Sequence, residues 1–141
     1  MIVFFDTSVF VSACQRNHEH HSPSLDAFAS AGKATAACSV HSLAEVYAVT
    51  TRMPGNYNIA PEEAWLFLRQ IGERCRLIAL EPSEYLATLE ATIHTRRPGG
   101  IIYDALLLAC ARKAKADKIL TWNLKHFRSL APDLADRIVT P

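Results

Sequence analysis

The first ten residues of the chain, MIVFFDTSVF, limit its fold more than any other stretch. Ile2–Phe5 is an unbroken run of branched and aromatic apolar residues, which is typical of a strand buried on both faces of a parallel sheet. Asp6 follows at once and would lie at the carboxyl edge of that sheet, where open α/β folds bind ligands. Asp6 is therefore either a helix cap or one wall of a functional site.

Strand-like and helical segments alternate along the rest of the chain. Further strands are predicted at residues 34–40, 77–80, 118–121 and 137–140, and helices at 9–15, 22–31, 42–53, 62–75, 82–96 and 101–116. Short strands separated by helices indicate an α/β fold with a mostly parallel sheet flanked by helices. The strand ends at Asp6 and at Asn123 can then converge on one pocket.

Length and composition favour a folded chain with a real core. The 141 residues predict a single domain, 1–141, and 50% hydrophobic against 21% charged residues argues against disorder. No apolar run approaches the ~18 residues of a membrane span, and no leader pattern opens the chain, so we expect a cytoplasmic protein. Four scattered cysteines without a CxxC pair predict free thiols. The net charge of +1 gives no global basic field, so nucleic-acid binding would need local clusters such as Arg96–Arg97.

Three acids stand out, although each has a plain structural explanation. Asp6 could cap a helix, Glu45 could complete a capping box with Ser42, and Asp104 could favour the positive end of a helix dipole. However, Asp104 is the only acid between Gly99 and Ala116, in a helix that is apolar on nearly every side. Its carboxylate must face a cavity or a charged partner, and the sequence offers no obvious buried lysine or arginine to pair with it. Clustered carboxylates would be compensated by Mg²⁺ or Mn²⁺ rather than by zinc.

Four segments in this order resemble a known family: FFDTSV, SLAEVYAVTTR, IIYDALLLACA and ILTWNLKHF. Together they span nearly the whole chain and are similar to the PIN-domain ribonucleases, specifically to the VapC-type toxins of toxin–antitoxin pairs. The resemblance implies a three-layer α/β/α sandwich with a small, mostly parallel central sheet and acids at its carboxyl edge. It also implies an endoribonuclease dependent on Mg²⁺ or Mn²⁺, an RNA substrate, inhibition by a cognate antitoxin protein, and a homodimer.

The resemblance also assigns the site residues. By motif match Asp6, Glu45 and Asp104 form the acidic core, and Asn123 occupies a fourth position that is often Asp in PIN domains. These four residues are the expected catalytic and metal-binding set. The amide of Asn123 weakens the inferred second metal site more than it weakens the family assignment.

Hydroxyl side chains next to the acids are candidates for a supporting role. Thr7 and Ser8 are expected to orient Asp6 or a bound water, and Thr121 is a further candidate beside them. The alternative for Thr7 and Ser8 is that their hydroxyls bond to the backbone of the turn.

Two other functions fit parts of the sequence. A non-catalytic PIN-like module that binds RNA or protein is compatible with Asn123, whereas the three retained acids argue for activity. A metal-dependent phosphatase of the haloacid dehalogenase type also begins with an aspartate at a strand end. It requires a second aspartate two residues later, where this chain has Ser8.

Several other residues keep two interpretations. His18, His20 and His21 with Glu19 could bind a transition metal, or could form a polar loop that contacts RNA or the antitoxin. Trp122 could stack on a base or pack under the last helix. The helix that contains Trp65, Phe67, Leu68 and Ile71 has a broad apolar surface that suits a protein partner as well as a core.

Overall fold

A five-stranded parallel sheet forms the centre of the computed structural model, which describes every residue from Met1 to Pro141. Its strands are β1 (Val3–Phe5), β2 (Ala36–Ser39), β3 (Arg76–Ile78), β4 (Lys118–Leu120) and β5 (Ile138–Val139), in the order β3-β2-β1-β4-β5. β1 is central, and Phe5 pairs with Cys38 on one side and with Leu120 on the other. All five carboxyl ends therefore lie at one edge, as the sequence predicts.

Seven α-helices cover the two faces of the sheet. They are α1 (Thr7–Cys14), α2 (His21–Ala29), α3 (Val40–Arg52), α4 (Pro61–Arg74), α5 (Pro82–His94), α6 (Ile101–Lys113) and α7 (Leu124–Leu130), with 3₁₀ turns at Gly55–Tyr57 and Pro132–Arg137. Phe4 packs in a core with Leu107 and Phe127, whereas Phe5 packs in a second core with Phe10 and Ile71. Successive strand residues point to opposite faces, so these two cores confirm the three-layer α/β/α sandwich.

The predicted capping box of Ser42 and Glu45 is wrong. α3 begins at Val40, two residues earlier, and its N-cap is Ser39, whose hydroxyl accepts a hydrogen bond from the His41 amide at 3.1 Å. Ser39 is the last residue of β2 and directly precedes Val40, so it occupies the capping position and Ser42 lies inside the helix. Ser42 instead lies fully buried in the first turn, where it accepts a hydrogen bond from Thr7.

The predicted bounds of the other helices shift as well, and α1 and α2 are two examples. α1 begins at Thr7, directly after Asp6, rather than at residue 9. α2 begins at His21, one residue before the predicted start, and ends at Ala29, two residues before the predicted end, with Ser30 as its C-cap.

Two helices expose an apolar residue next to a buried polar one. In α2, Leu25 is exposed while Ser24 is fully buried, and in α5, Ile93 is 72% exposed while Thr92 is buried. The buried hydroxyls are satisfied internally, because Ser24 bonds to Ser12 and Thr92 donates to a carbonyl in its own helix. Small polar residues with such partners can replace apolar ones at core positions.

Two expectations about composition agree with the structure. All four cysteines are free thiols, and Cys38, Cys75 and Cys110 are buried. No helix has both the length and the apolar character that crossing a membrane requires.

Candidate active site

Three acids from distant parts of the chain meet at the carboxyl edge of the sheet. Asp6 follows β1 directly, Glu45 lies in α3, and Asp104 lies in the first turn of α6. Burial, and after it the negative charges of Asp6 and Glu45, together raise the pKa of Asp104 from its ordinary value of 3.8 to about 6. The structure therefore brings together the acidic residues that the sequence suggests.

Asp6 is a buried carboxylate held by two hydroxyls. Only 3% of the residue is exposed, and its Oδ2 accepts hydrogen bonds from Ser8 at 2.6 Å and Thr121 at 2.8 Å. Burial raises its pKa, while these hydroxyls and the neighbouring amides of Thr7 and Ser8 lower it. Asp6 occupies the N-cap position of α1, as one of the two interpretations predicts, but its side chain makes no capping hydrogen bond to that helix.

The two oxygens of Asp6 have different surroundings. Both hydroxyls bond to Oδ2, whereas Oδ1 has no hydrogen-bond partner in the protein and is not sealed from solvent. The carboxylate is therefore fixed through one oxygen and open through the other.

Glu45 is held by its own set of neighbours. The Thr7 hydroxyl lies 3.2 Å from Glu45 Oε1 and 3.0 Å from the Ser42 hydroxyl, and His41 Nε2 lies 3.5 Å from Glu45 Oε1. Burial raises the pKa of Glu45, His41 and Thr7 oppose that rise, and the charge of Asp6 adds to it. Of the two hydroxyls expected to orient Asp6, Ser8 contacts it, whereas Thr7 serves Glu45.

No lysine or arginine compensates the three acids. The ion pairs formed by Arg69, Arg112 and Lys113 all involve other carboxylates, and only His41 approaches one of the three. Asp104 is influenced only by burial and by its two acidic neighbours. The cluster therefore carries uncompensated negative charge at neutral pH.

Asn123 lies at the end of β4, beside this cluster. It is the N-cap residue of α7, its backbone N–H donates to the Thr121 hydroxyl at 3.0 Å, and its exposed side chain makes no hydrogen bond. Its amide is free to bind a ligand.

The chemistry of the cluster suits a hard divalent cation. No three of the His, Cys, Asp and Glu side chains are close enough together to enclose a metal ion as they stand. The available donors are nevertheless all oxygens, the open Oδ1 of Asp6 is one of them, and their charge lacks a partner. Mg²⁺ and Mn²⁺ prefer such ligands and retain several waters, so they do not need a closed protein cage.

The histidine segment and Trp122 have structural partners. The His20 ring stacks on Trp122 with centroids 3.7 Å apart, and His21 Nδ1 lies 3.0 Å from the Ser12 carbonyl. The predicted alternative of Trp122 packing under the last helix is wrong, because its indole N–H donates to Ser24 in α2 at 2.8 Å. His18, His20 and His21 do not form a metal cluster.

Sequence reasoning missed two aromatic groups and several hydroxyls near the acids. His41 stacks on Tyr103 with centroids 5.4 Å apart, and Tyr103 precedes Asp104 in the chain. One signal was available, since His41 precedes Glu45 by four residues and must share its helix face. Ser24 and Ser42 carry no such signal.

Comparison with known proteins agrees with this geometry. The sequence matches the PIN domain family over residues 3–131. It is 31% identical over 112 residues to Ribonuclease VapC27 of Mycobacterium tuberculosis, and the match covers 79% of this chain and 78% of that protein. The fold matches the crystal structure of VapC20 from Mycobacterium tuberculosis, a toxin that cleaves the sarcin–ricin loop. That match has a TM-score of 0.72 and 18% identity over 90% of this chain and 94% of that one. With residues 3–131 matched and a ribonuclease relative above 30% identity, this chain belongs to the PIN-domain family, among its VapC-type ribonucleases.

Proposed function

We propose that this protein is an endoribonuclease toxin that requires Mg²⁺ or Mn²⁺ and is neutralised by a cognate antitoxin in the cytoplasm. The observation that supports this most directly is the cluster of Asp6, Glu45 and Asp104, whose negative charges raise one another's pKa and have no lysine or arginine partner. A buried repulsive cluster weakens the fold. Such a cluster makes sense where a divalent cation offsets its charge.

The same residues would hold the cation. Asp6, Glu45 and Asp104 would supply carboxylate oxygens, and Asn123 would supply an amide oxygen. When bound, a divalent cation would polarise the phosphodiester, make water a stronger nucleophile and offset charge on the leaving oxygen.

The hydroxyls around the acids act as their supports. Ser8 and Thr121 hold Oδ2 of Asp6, which leaves Oδ1 directed at the opening. Thr7 plays the corresponding part for Glu45. Hydrogen bonds of this kind fix the orientation of ligating carboxylates.

An RNA substrate follows from the relatives rather than from the pocket. The curated relative is named a ribonuclease, and the structural relative is described as cleaving the sarcin–ricin loop. The loops and the shape of this chain's site would set its own target sequence.

Exposed apolar side chains support the proposed partners. Trp65 and Leu66 on α4 are 60% and 57% exposed, and Leu86 and Ile93 on α5 are 65% and 72% exposed. Patches of this kind are typical of protein interfaces. We propose that the α4 and α5 patches are the surfaces available to a homodimer and to the antitoxin, which would also present a basic side chain to the acids.

The decisive experiment is cleavage of total RNA by the purified, antitoxin-free protein. We expect cleavage with Mg²⁺ or Mn²⁺, none in EDTA, and discrete new ends on sequencing. Asp104→Asn should abolish cleavage, whereas Asp136→Asn should have no effect, because Asp136 is an exposed acid that precedes β5, at the opposite edge of the sheet from the three acids. If the protein binds RNA but cleaves it under none of these conditions, it would be a non-catalytic module instead. Wild-type rates in Asp104→Asn would refute the assignment of the site.

A further inference from the structure

Two chains of hydrogen bonds begin at Trp122, of which one ends at the Asp6 carboxylate and the other at the Ser8 carbonyl. The backbone N–H of Trp122 donates to the Ser8 hydroxyl at 3.0 Å, and Ser8 lies 2.6 Å from Asp6 Oδ2. Its indole N–H donates to Ser24 at 2.8 Å, Ser24 lies 2.7 Å from Ser12, and Ser12 lies 2.8 Å from the Ser8 carbonyl.

Counting protons fixes the direction of the first chain. A backbone N–H can only donate, so Ser8 Oγ must accept from Trp122. A serine hydroxyl has one proton, which leaves that of Ser8 for Asp6. The Trp122 amide therefore makes the Ser8 hydroxyl an obligate donor to the carboxylate.

The second chain has an equally fixed direction. The indole N–H can only donate, so Ser24 accepts it and passes its own proton to Ser12, which donates to the Ser8 carbonyl. Ser12 and Ser24 are both fully buried, so no water competes for these bonds. The Trp122 amide therefore bonds to the Ser8 hydroxyl directly, and its indole is connected to the Ser8 carbonyl through Ser24 and Ser12.

The His20 ring also stacks on the face of the Trp122 indole. The two rings are 6° from parallel with centroids 3.7 Å apart. Ser24 in α2 therefore contacts the edge of the indole, and His20, which precedes α2, contacts its face. A shift of Trp122 would disturb the hydrogen bond from its backbone N–H to Ser8.

From this arrangement we infer that Ser24 and Trp122 are positioning residues for the reaction, acting through Ser8 on Asp6. The inference rests on the proposed function, because it takes Asp6 to be a ligand of the catalytic cation. Neither residue need touch substrate or cation. Removing the indole–Ser24 bond should loosen the Ser8 donor and so weaken both cation binding and turnover.

The test compares Ser24→Ala with Trp122→Phe, which keeps an aromatic ring against His20 but lacks the N–H. Each should weaken Mn²⁺ binding, measured by electron paramagnetic resonance, by about 3- to 10-fold and lower kcat by a similar factor with KM for RNA unchanged. These factors lie at and below the lower end of the about 10- to 100-fold losses typical of groups that orient metal ligands. Ser22→Ala, an exposed serine of the same helix, is the matched control and should match wild type.

Double variants separate positioning from general destabilisation. Because both residues share one bond, Ser24→Ala with Trp122→Phe should bind Mn²⁺ no more weakly than either single variant. Because they act through Ser8, Ser24→Ala should add less than twofold to the loss caused by Ser8→Ala. Independent losses that multiply would refute the inference, as would unchanged Mn²⁺ affinity in either single variant.

Nuclear magnetic resonance gives a readout that does not depend on activity. Trp122→Phe identifies the indole N–H signal of Trp122, and Ser24→Ala should shift that signal and speed its exchange with solvent. The same variant should also shift the backbone amide signal of Trp122. A wild-type protein that neither binds Mn²⁺ nor cuts RNA would refute the proposed function. A wild type that does both while Ser24→Ala matches it would refute this inference alone.

Discussion

Replacing Asp104 by asparagine should stabilise the metal-free protein at neutral pH. The change keeps the size of the side chain and removes one charge from the acidic cluster. In the folded protein the pKa of Asp104 is raised from 3.8 to about 6, with burial as the main cause. A raised pKa in the folded state means that the ionised form disfavours folding.

The pH dependence follows from that sign. Below pH 4 the carboxyl is protonated in both states and carries no penalty. Between about pH 4 and 6 it ionises first in the unfolded chain, so wild-type stability falls as the pH rises. Above about pH 6 the penalty is constant. Asp104→Asn lacks this contribution, so the two proteins should diverge across that window.

The expected size is modest. One pKa unit corresponds to about 1.4 kcal/mol, so a rise from 3.8 to about 6 would cost about 3 kcal/mol in a fully buried group. Asp104 is only half-buried, so solvent screening reduces this to about 1 kcal/mol. For a chain of this length that is about 3 °C in Tm.

Thermal and urea unfolding in EDTA between pH 3.5 and 8 would measure the difference. Asp136→Asn is the matched control, and its stability should follow that of wild type. Adding Mg²⁺ should raise the Tm of wild type more than that of Asp104→Asn, because the variant has lost a ligand. Equal stability of the variant and wild type at pH 7 would refute the argument that the ionised Asp104 side chain disfavours folding.

Four further predictions concern chemistry and assembly. Attack by water should leave 5′-phosphate and 3′-hydroxyl ends, so a 2′,3′-cyclic phosphate that persists in EDTA would contradict the mechanism. Asn123→Asp should lower the Mg²⁺ concentration for half-maximal cleavage and Asn123→Ala should raise it, because a carboxylate binds Mg²⁺ more strongly than an amide. Unchanged titrations would remove Asn123 from the site. Ile93→Asp should convert a dimer to a monomer in light scattering at micromolar concentration, and a monomeric wild type would exclude the dimer. Tyr103→Ala should raise KM for RNA several-fold while Tyr103→Phe should not, if the exposed ring beside Asp104 stacks on a base.

The sequence predicts the sheet well because its strands carry strong local signals. The run from Ile2 to Phe5 is buried on both faces, so it has no polar alternation and cannot be mistaken for a surface strand. Parallel strands place their carboxyl ends together, and this alone links Asp6 with Asn123. The strand bounds are harder to predict, because the strands have only two to four residues and their ends depend on pairing with neighbouring strands.

Helix faces were harder to predict than helices. Periodicity shows that α5 has an apolar face but not whether anything in the same chain covers it, and Leu86 and Ile93 remain exposed. Buried serines were harder still. Ser12 and Ser24 are fully buried, yet a serine on a helix usually faces water, and its partner can be some hundred residues away, as Trp122 is for Ser24.

Asn123 shows how sequence and electrostatics combine at this site. The residue follows the strand whose Thr121 contacts Asp6, and three carboxylates already share that edge of the sheet without a cation. An aspartate here would add a fourth negative charge and would further disfavour the metal-free fold, by the same reasoning that applies to Asp104. An amide keeps an oxygen donor at the position without that repulsion. Under the proposed function, the amide at position 123 would exchange cation affinity for stability, and Asn123→Asp should destabilise the protein in EDTA while it strengthens Mg²⁺ binding. A variant that binds Mg²⁺ more tightly with no loss of Tm in EDTA would show that the charges at this edge do not interact.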